Sequence, residues 1–160
     1  MTRAIYPGSF DPVTKGHLDI IIRTSKIMSH LTVTVMDNPR KVATYDIEKR
    51  VEMLKLVIEP YKNVEVDYYK GLLIDYAQQK KIGIIVKGLR AISDFEFEFQ
   101  MALVNQKLNP AIETLFMMTS SKYSYLSSSI VKEIAALGGN VSSLVPPEVH
   151  DMIISKFKLD

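Results

Sequence analysis

Short apolar runs alternate with amphipathic helical stretches along the whole chain, and this alternation limits the possible folds more than any other feature. The runs have the length and the β-branched or apolar character of strands, and the stretches between them repeat apolar residues at helical spacing. Strands are predicted at 4–6, 31–36, 64–68, 82–87 and 114–118. Helices are predicted from about 14–16 to 28, from 46 to about 59, at 73–80, from 93 or 94 to about 108, at 127–137, and from 147 onward. The pattern favours a doubly wound α/β domain with a parallel five-stranded sheet and helices on both faces.

Capping residues support several of these boundaries. Asp46 is a suitable N-cap for the second helix, and Pro60 ends it. Gly138 follows the fifth helix, and Pro147 stands near the first position of the last one.

Composition excludes several classes of protein. The 160 residues carry a net charge of +2 and contain no cysteine, which rules out disulfides and zinc-thiolate sites. Such a small charge gives no reason to expect nucleic acid as a partner, and no apolar run reaches the roughly 20 residues that span a bilayer. We therefore expect a single domain over residues 1–160, located in the cytoplasm.

The most informative segment follows the first strand. Residues 8–13 form a glycine-containing turn, and Thr14, Lys15, Gly16 and His17 open a helix. Glycine lets backbone N–H groups approach a phosphate, and a helix N-terminus adds partial positive charge. The segment matches neither a P-loop nor a dinucleotide-binding fingerprint. A glycine turn with a surface histidine remains the simple alternative.

Cationic or hydroxyl-bearing residues also follow other strands of the predicted sheet. Arg40 and Lys41 follow the second strand, residues 87–90 (Lys-Gly-Leu-Arg) follow the fourth, and residues 119–129 follow the fifth. Each could be a solvated loop, but in a parallel sheet these ends share one edge, where such folds bind ligands. Ser127, Ser128 and Ser129 at a helix start offer a second anion site.

Isolated charged residues are weaker candidates. Asp94, Glu96 and Glu98 share one helix, and Glu96 and Glu98 cannot both face the same site. His30 and His150 have no surrounding motif and are interpreted as structural or surface residues.

Three blocks together resemble the phosphopantetheine adenylyltransferases. They are G-S-F-D-P-x-T-x-G-H at 8–17, K-G-L-R followed by D-F-E at 87–96, and Y-S-Y-L-S-S-S-I-V-K-E at 123–133. The resemblance runs from Ile5 to about Lys156. T-x-G-H alone marks the wider nucleotidyltransferase superfamily, whereas the other blocks, with the stretches 71–76 and 145–149, are typical of this family.

The resemblance implies an activity and its partners. ATP and 4′-phosphopantetheine would give dephospho-coenzyme A and pyrophosphate, with Mg²⁺ accompanying ATP. It also implies a Rossmann-like fold and a homohexamer, and coenzyme A is a candidate feedback ligand.

The resemblance also implies roles for individual residues. His17, Lys41 and Arg90 correspond to catalytic residues, and the substrate-binding positions are Ser9, Lys41, Leu73 and Lys87. The ATP-binding positions are Ser9, Phe10, His17, Gly88, Leu89, Arg90, Glu98, Tyr123, Ser124, Tyr125, Leu126, Ser127, Ser128 and Ser129. Lys87 departs from the family, which usually has arginine there, and lysine lacks the bidentate fork of arginine.

The T-x-G-H motif is also compatible with other functions. T-x-G-H also permits adenylyl transfer to nicotinamide mononucleotide, or activation of choline phosphate or glycerol phosphate with CTP. A nucleotide-sensing protein without activity is a different class, and so is an RNA-binding protein, for which the chain shows no basic tail.

Overall fold

Strands and helices alternate along the chain as the hydrophobic pattern predicts. The protein is described here from a computed structural model covering residues 2–37, 39 and 42–157. Its strands are β1 (Arg3–Gly8), β2 (His30–Met36), β3 (Val64–Tyr69), β4 (Ile84–Leu89) and β5 (Glu113–Met118). Its helices are α1 (Lys15–Ser25), α2 (Ile47–Ile58), α3 (Leu73–Lys80), α4 (Ile92–Leu108), α5 (Ser128–Ala136) and α6 (Pro147–Phe157), with a 3₁₀ turn at Ser121–Tyr123. Within the described ranges, no helix is long and apolar enough to cross a membrane.

The five strands form one parallel sheet, in the order β3-β2-β1-β4-β5. This confirms the predicted doubly wound α/β architecture. The chain first builds outward from β1 to β3, and then returns to the other side of β1 to add β4 and β5. The order therefore reverses between β1 and β4, and the carboxyl ends of these two strands mark the place where such folds bind ligands.

Alternate residues of β1 enter the cores on the two faces of the sheet. Ala4 and Tyr6 belong to the larger buried cluster, which includes apolar side chains of α1, α2, α5 and α6. Ile5 points to the opposite face, where it packs in a smaller cluster with Ile74 and Tyr76 of α3. Burial on both faces explains why β1, at the centre of the sheet, is apolar at each of the positions 4–6.

The bounds of β1 and β4 differ by up to two residues from the prediction. β1 continues to Gly8, and β4 begins at Ile84 and continues to Leu89. Residues 88 and 89 were expected to follow the strand, but they pair with Met117 and Met118 of β5 and therefore belong to it. Pairing with a neighbouring strand overrides the turn tendency of the glycine at 88.

The predicted cap at Asp46 is confirmed, since its carboxylate accepts a hydrogen bond from Lys49 N at 2.7 Å. Ser127, predicted as part of an anion site, also caps α5, because its Oγ accepts a hydrogen bond from Ile130 N at 3.1 Å. Gly138 follows α5 with a φ of +77°, a conformation that favours glycine.

Candidate functional site

A cleft of about 810 Å³ opens at the carboxyl ends of β1 and β4. Most of the predicted site residues line it: Ser9, Phe10, His17, Leu73, Lys87, Gly88, Arg90, Glu98, Leu126, Ser127, Ser128 and Ser129. The topology thus brings together residues that are up to 120 positions apart in the chain.

The remaining predicted residues lie elsewhere. Leu89, Tyr123, Ser124 and Tyr125 do not line the cleft, although a Cβ added at Gly16 would lie 3.8 Å from Tyr123 Cβ, so Tyr123 borders the start of α1. Lys41 lies outside the described residues. The roles of these residues remain predictions.

His17 is held in place by the first turn of its own helix. Thr14 is the N-cap of α1, and its backbone N–H donates to His17 Nδ1 at 3.0 Å, while its side chain accepts from His17 N at 3.3 Å. Because Nδ1 accepts a hydrogen bond, the proton of the neutral ring is on Nε2. His17 therefore offers one N–H donor to the cleft, from a ring that its own helix cap orients.

His17 is neutral at physiological pH. Burial, aided by the charge of Arg90, lowers the pKa of His17 to about 4. A neutral imidazole can donate a hydrogen bond without releasing a proton at pH 7. His17 can therefore serve in the cleft as a hydrogen-bond donor, and the fixed positive charge of the cleft comes from other residues.

The aromatic ring of Phe10 is unavailable to a ligand. Phe10 is only 1% exposed, and its ring contacts those of Tyr6 and His17 edge-on, with centroids 5.5 and 5.0 Å away. A Cβ at Gly8 would come within 3.0 Å of this ring, so the turn requires glycine there. Phe10 therefore borders the cleft through its backbone.

Asp11 connects three segments around the cleft. Its carboxylate accepts hydrogen bonds from the backbone N–H of Thr44 and of Tyr45, each at 2.9 Å, and Lys132 Nζ of α5 lies 2.9 Å away. Burial of Asp11 opposes ionisation, but these donors outweigh it and lower the pKa of the carboxyl. The carboxylate thus ties the turn after β1 to α5 and to the segment that follows Lys41.

Arg90 connects the end of β4 with the start of α5. Its Nη1 donates to the carbonyl oxygen of Leu126 at 3.0 Å, and its Nε and Nη2 lie 2.9 and 3.3 Å from the Asp94 carboxylate. The guanidinium therefore stands next to the free N–H groups of the α5 N-terminus, which itself carries partial positive charge.

The three serines at the start of α5 are not equivalent. The Ser127 hydroxyl oxygen caps the helix by accepting a hydrogen bond from Ile130 N, so its O–H can still donate to a ligand. The hydroxyl of Ser128 donates to Pro12 O at 2.7 Å, which fixes α5 against the turn after β1. The predicted anion site therefore consists of backbone N–H groups with the Ser127 hydroxyl, rather than three free hydroxyls.

Lys87 and Glu98 form an ion pair in the wall of the cleft. Lys87 Nζ lies 3.2 Å from Glu98 Oε2, but the geometry of this contact is not that of a hydrogen bond. Both side chains are largely buried. Glu96 is exposed, so only one of the two glutamates faces the site, as their spacing predicts. A phosphate binding here would compete with Glu98 for Lys87.

Apolar side chains also line the cleft, and sequence reasoning missed most of them. Met36, Leu72, Phe97 and Met101 line it beside Leu73, and Phe97 is 63% exposed. These residues come from a strand, a loop and a helix far apart in the chain, and no motif contains them. The one sequence signal for Phe97 and Met101 is their apolar character at positions of α4 where a helix of mixed polarity would carry polar residues.

Comparison with known proteins gives consistent results. The sequence model described as cytidylyltransferase-like matches residues 5–134. The chain is 56% identical to the phosphopantetheine adenylyltransferase of Caldanaerobacter subterraneus subsp. tengcongensis, covering 99% of each chain. It is also 56% identical to that of Clostridium botulinum strain Hall, covering 93% of this chain and 91% of the relative.

A solved structure extends the comparison to the fold. A putative nicotinate-nucleotide adenylyltransferase from Vibrio parahaemolyticus superposes with a TM-score of 0.70, covering 99% of this chain and 98% of that one. At 16% identity, this likeness concerns the fold alone.

Proposed function

The chain belongs to the phosphopantetheine adenylyltransferases, within the cytidylyltransferase-like family, and from this premise we propose that it transfers AMP from ATP to 4′-phosphopantetheine, giving dephospho-coenzyme A and pyrophosphate. The observation that carries the proposal is the neutral His17. Its Nε2–H faces a cleft in which two cationic side chains, Lys87 and Arg90, meet the N-termini of α1 and α5. This arrangement suits phosphate groups.

The chemistry needs no general base. The attacking group is a phosphomonoester whose second pKa is about 6, so it is already mostly a dianion at neutral pH. The difficulty is to bring two polyanions together and to stabilise charge on the α-phosphate. We infer in-line attack on the α-phosphate, with His17 donating from Nε2 to an oxygen of that phosphate and pyrophosphate leaving.

We infer that the cationic and the apolar residues of the cleft divide the substrates between them. The apolar group consists of Leu72, Leu73, Phe97 and Met101, and Lys87 lines the same cleft. A pantetheine arm carries a gem-dimethyl group and methylene segments between its two amides, and these apolar parts suit that group, while its phosphate would reach Lys87. The same reasoning disfavours mononucleotide or choline phosphate acceptors, since neither has such an extended arm.

We propose that Mg²⁺ enters with ATP. The cleft carboxylates of Asp37, Asp94 and Glu98 lie against Lys70, Arg90 and Lys87, at 3.6, 2.9 and 3.2 Å, and the described residues contain no group of three or more potential ligands. This donor set fits an ion held mainly by phosphate oxygens and water. When bound, Mg²⁺ would offset charge on the phosphates.

We also propose that the enzyme is a cytoplasmic homohexamer and that coenzyme A is a feedback ligand. Exposed apolar side chains along α4 and β5 support an assembly: Phe95, Phe99, Leu103, Val104, Leu108, Leu115 and Met118. A monomer would leave this surface in water, which is unusual for a patch of such size. Coenzyme A contains the pantetheine arm, so the apolar residues of the cleft suit it.

Pyrophosphate release tests the proposed reaction. The purified protein should release pyrophosphate from ATP only when 4′-phosphopantetheine is present, and should need Mg²⁺. Nicotinamide mononucleotide with ATP, and choline phosphate or glycerol phosphate with CTP, serve as competing pairs. Faster turnover of any competing pair would reject the proposed substrate. The configuration of a chiral α-phosphate should invert, and retention would reject a single in-line displacement without a covalent enzyme intermediate.

A further inference from the structure

Arg50 is a buried cation that does not line the cleft. It lies on α2 and is 4% exposed. Its Nη1 donates to Ser9 O at 3.0 Å, and its Nε lies 3.4 Å from Asp46 O. Within the part of the chain that the structure describes, no carboxylate pairs with it.

Such a placement is costly for the free protein. A buried cation is normally compensated by a carboxylate, because its loss of hydration exceeds what backbone carbonyls return. Lys132 nearby has the Asp11 carboxylate as its partner, whereas Arg50 has only carbonyl oxygens. We therefore expect Arg50 to have a role in addition to stabilising the core.

The contact with Ser9 O sets the direction of a backbone donor. The Ser9–Phe10 peptide is trans, so its N–H, which belongs to Phe10, points opposite to its C=O. The C=O points to Arg50, which does not line the cleft, whereas both Ser9 and Phe10 do. No described residue accepts a hydrogen bond from Phe10 N. This donor is therefore free and directed at the cleft.

The backbone at Phe10 needs such support. Its φ of +47° is a left-handed conformation that aromatic residues rarely adopt. Burial of the ring holds one side of the residue, and Arg50 holds the peptide that precedes it.

We propose that Arg50 is a positioning residue that holds the Ser9–Phe10 peptide with its N–H toward a bound phosphate, and that its buried charge is balanced when that phosphate binds. The proposal rests on the proposed function, in that the ligand is a phosphate of the substrates. Arg50 acts through the peptide and does not touch the substrate.

Selective NMR labelling can observe this donor directly. Ser9–Phe10 is the only Ser–Phe pair in the sequence, so ¹³C-carbonyl serine with ¹⁵N-phenylalanine selects the Phe10 amide among six phenylalanines. Titration of the wild-type protein with inorganic pyrophosphate should move the Phe10 amide proton downfield, as a new hydrogen bond does. An amide that stays in place at saturation would overturn the proposal, whatever the variants do.

Substitution tests the role of Arg50 itself. Arg50→Met should weaken pyrophosphate binding about tenfold, the worth of one charge-assisted hydrogen bond, and reduce the Phe10 shift. Arg50→Lys keeps a cation without the fork, should lie between the two, and replaces the Met variant if that one does not fold. Lys49→Met removes one charge from an exposed position of the same helix and should change neither reading.

The outcomes separate this inference from the proposed function. Unchanged pyrophosphate affinity in Arg50→Met, with only a loss of thermal stability, would show a purely structural residue and overturn the inference. Pyrophosphate binding needs no acceptor substrate, so an inactive wild-type protein with an Arg50-dependent Phe10 shift would reject the enzyme activity alone.

Discussion

The protonation state of His17 is the residue-scale property on which the proposed chemistry depends. Burial and the Arg90 charge lower the pKa of His17 to about 4. An NMR titration of the free protein should therefore show His17 titrating near pH 4. Arg90→Met should raise this pKa, but not to the usual value, because burial is the larger cause. Titration of the wild-type ring near 6.5 would contradict the assignment of a neutral donor.

The same shift links pH to stability. Between pH 6.5 and 4 the unfolded chain binds a proton at His17 that the folded protein excludes, so the contribution of His17 to the free energy of unfolding decreases as the pH falls through this window. Above pH 6.5 the contribution is constant. A His17→Asn variant should lack this part of the pH dependence.

Replacement of His17 tests its role in the reaction. His17→Ala should lower kcat much more than it raises KM, because the contact strengthens in the transition state. The expected loss is about 3 kcal/mol, or roughly a hundredfold, as for other transition-state donors. Steady-state kinetics with both substrates checks it. A variant that keeps kcat and loses only affinity would assign His17 to ground-state binding.

Lys87 stands where the sequence resemblance leads us to expect an arginine. Its ammonium is occupied by Glu98 at 3.2 Å, and a lysine cannot bind a carboxylate and a phosphate with two parallel bonds. Lys87→Arg should therefore lower KM for 4′-phosphopantetheine about fivefold, equivalent to about 1 kcal/mol, and leave KM for ATP unchanged. Lys49→Arg is the matched exchange at an exposed position. An unchanged or higher KM in Lys87→Arg would mean that lysine is already the better residue in this cleft.

At the scale of secondary-structure elements, the Asp11 carboxylate connects the turn after β1 with α5 and with the segment that precedes α2. Two backbone N–H groups and Lys132 meet at its carboxylate. Asp11→Asn should lower the free energy of unfolding by about 2 kcal/mol at pH 7, because the amide cannot accept all three bonds. Lys132→Met removes the ion pair but keeps the backbone bonds and should cost less. Denaturant unfolding of the three proteins measures the difference.

The pH dependence of this difference follows from the lowered pKa of Asp11. The ionised carboxyl stabilises the fold above the usual aspartate range, and the advantage is lost as the pH falls through its lower folded pKa. The gap between wild type and Asp11→Asn should therefore close in acid. A gap that is constant with pH would show that charge is not the cause.

Local sequence signals predicted the elements better than their pairing. Asp46 caps α2 and Gly138 follows α5 as expected, because capping depends on the few residues next to the cap. Residues 88 and 89 were placed after a strand that in fact includes them, since pairing with β5 determines the end of the strand and cannot be recognised from the local sequence. The strand order β3-β2-β1-β4-β5 depends on tertiary packing in the same way.

At the scale of the whole molecule, the resemblance located the cationic residues of the cleft and Leu73, but not the apolar side chains that line the cleft with Leu73. His17 and Arg90 stand in motifs with fixed spacing, so the resemblance located them. Leu72, Phe97 and Met101 come together only after α4 and the loop before α3 meet over the sheet, and their spacing in sequence carries no signal. The proposed specificity for a pantetheine arm therefore rests on the fold, and the reaction type on the motifs.

The exposed face of α4 links the cleft to the proposed assembly. Leu103 is 51% exposed and lies on the same helix as Phe97 and Met101, which line the cleft. A charge at Leu103 cannot be buried between subunits without a large cost, so Leu103→Glu should dissociate the assembly. Light scattering should give the mass of six 18.1 kDa chains for the wild type and a smaller mass for the variant.

Ile27 provides a control outside the helix. It follows α1, is 64% exposed and is not part of α4 or β5, so Ile27→Glu should keep the wild-type mass. Because α4 also contributes apolar side chains to the cleft, loss of the assembly should loosen them and raise KM for 4′-phosphopantetheine more than KM for ATP. A monomeric wild type, or a Leu103→Glu variant that stays assembled, would refute α4 as the interface. A dissociated variant with unchanged KM would show that the cleft is complete within one chain.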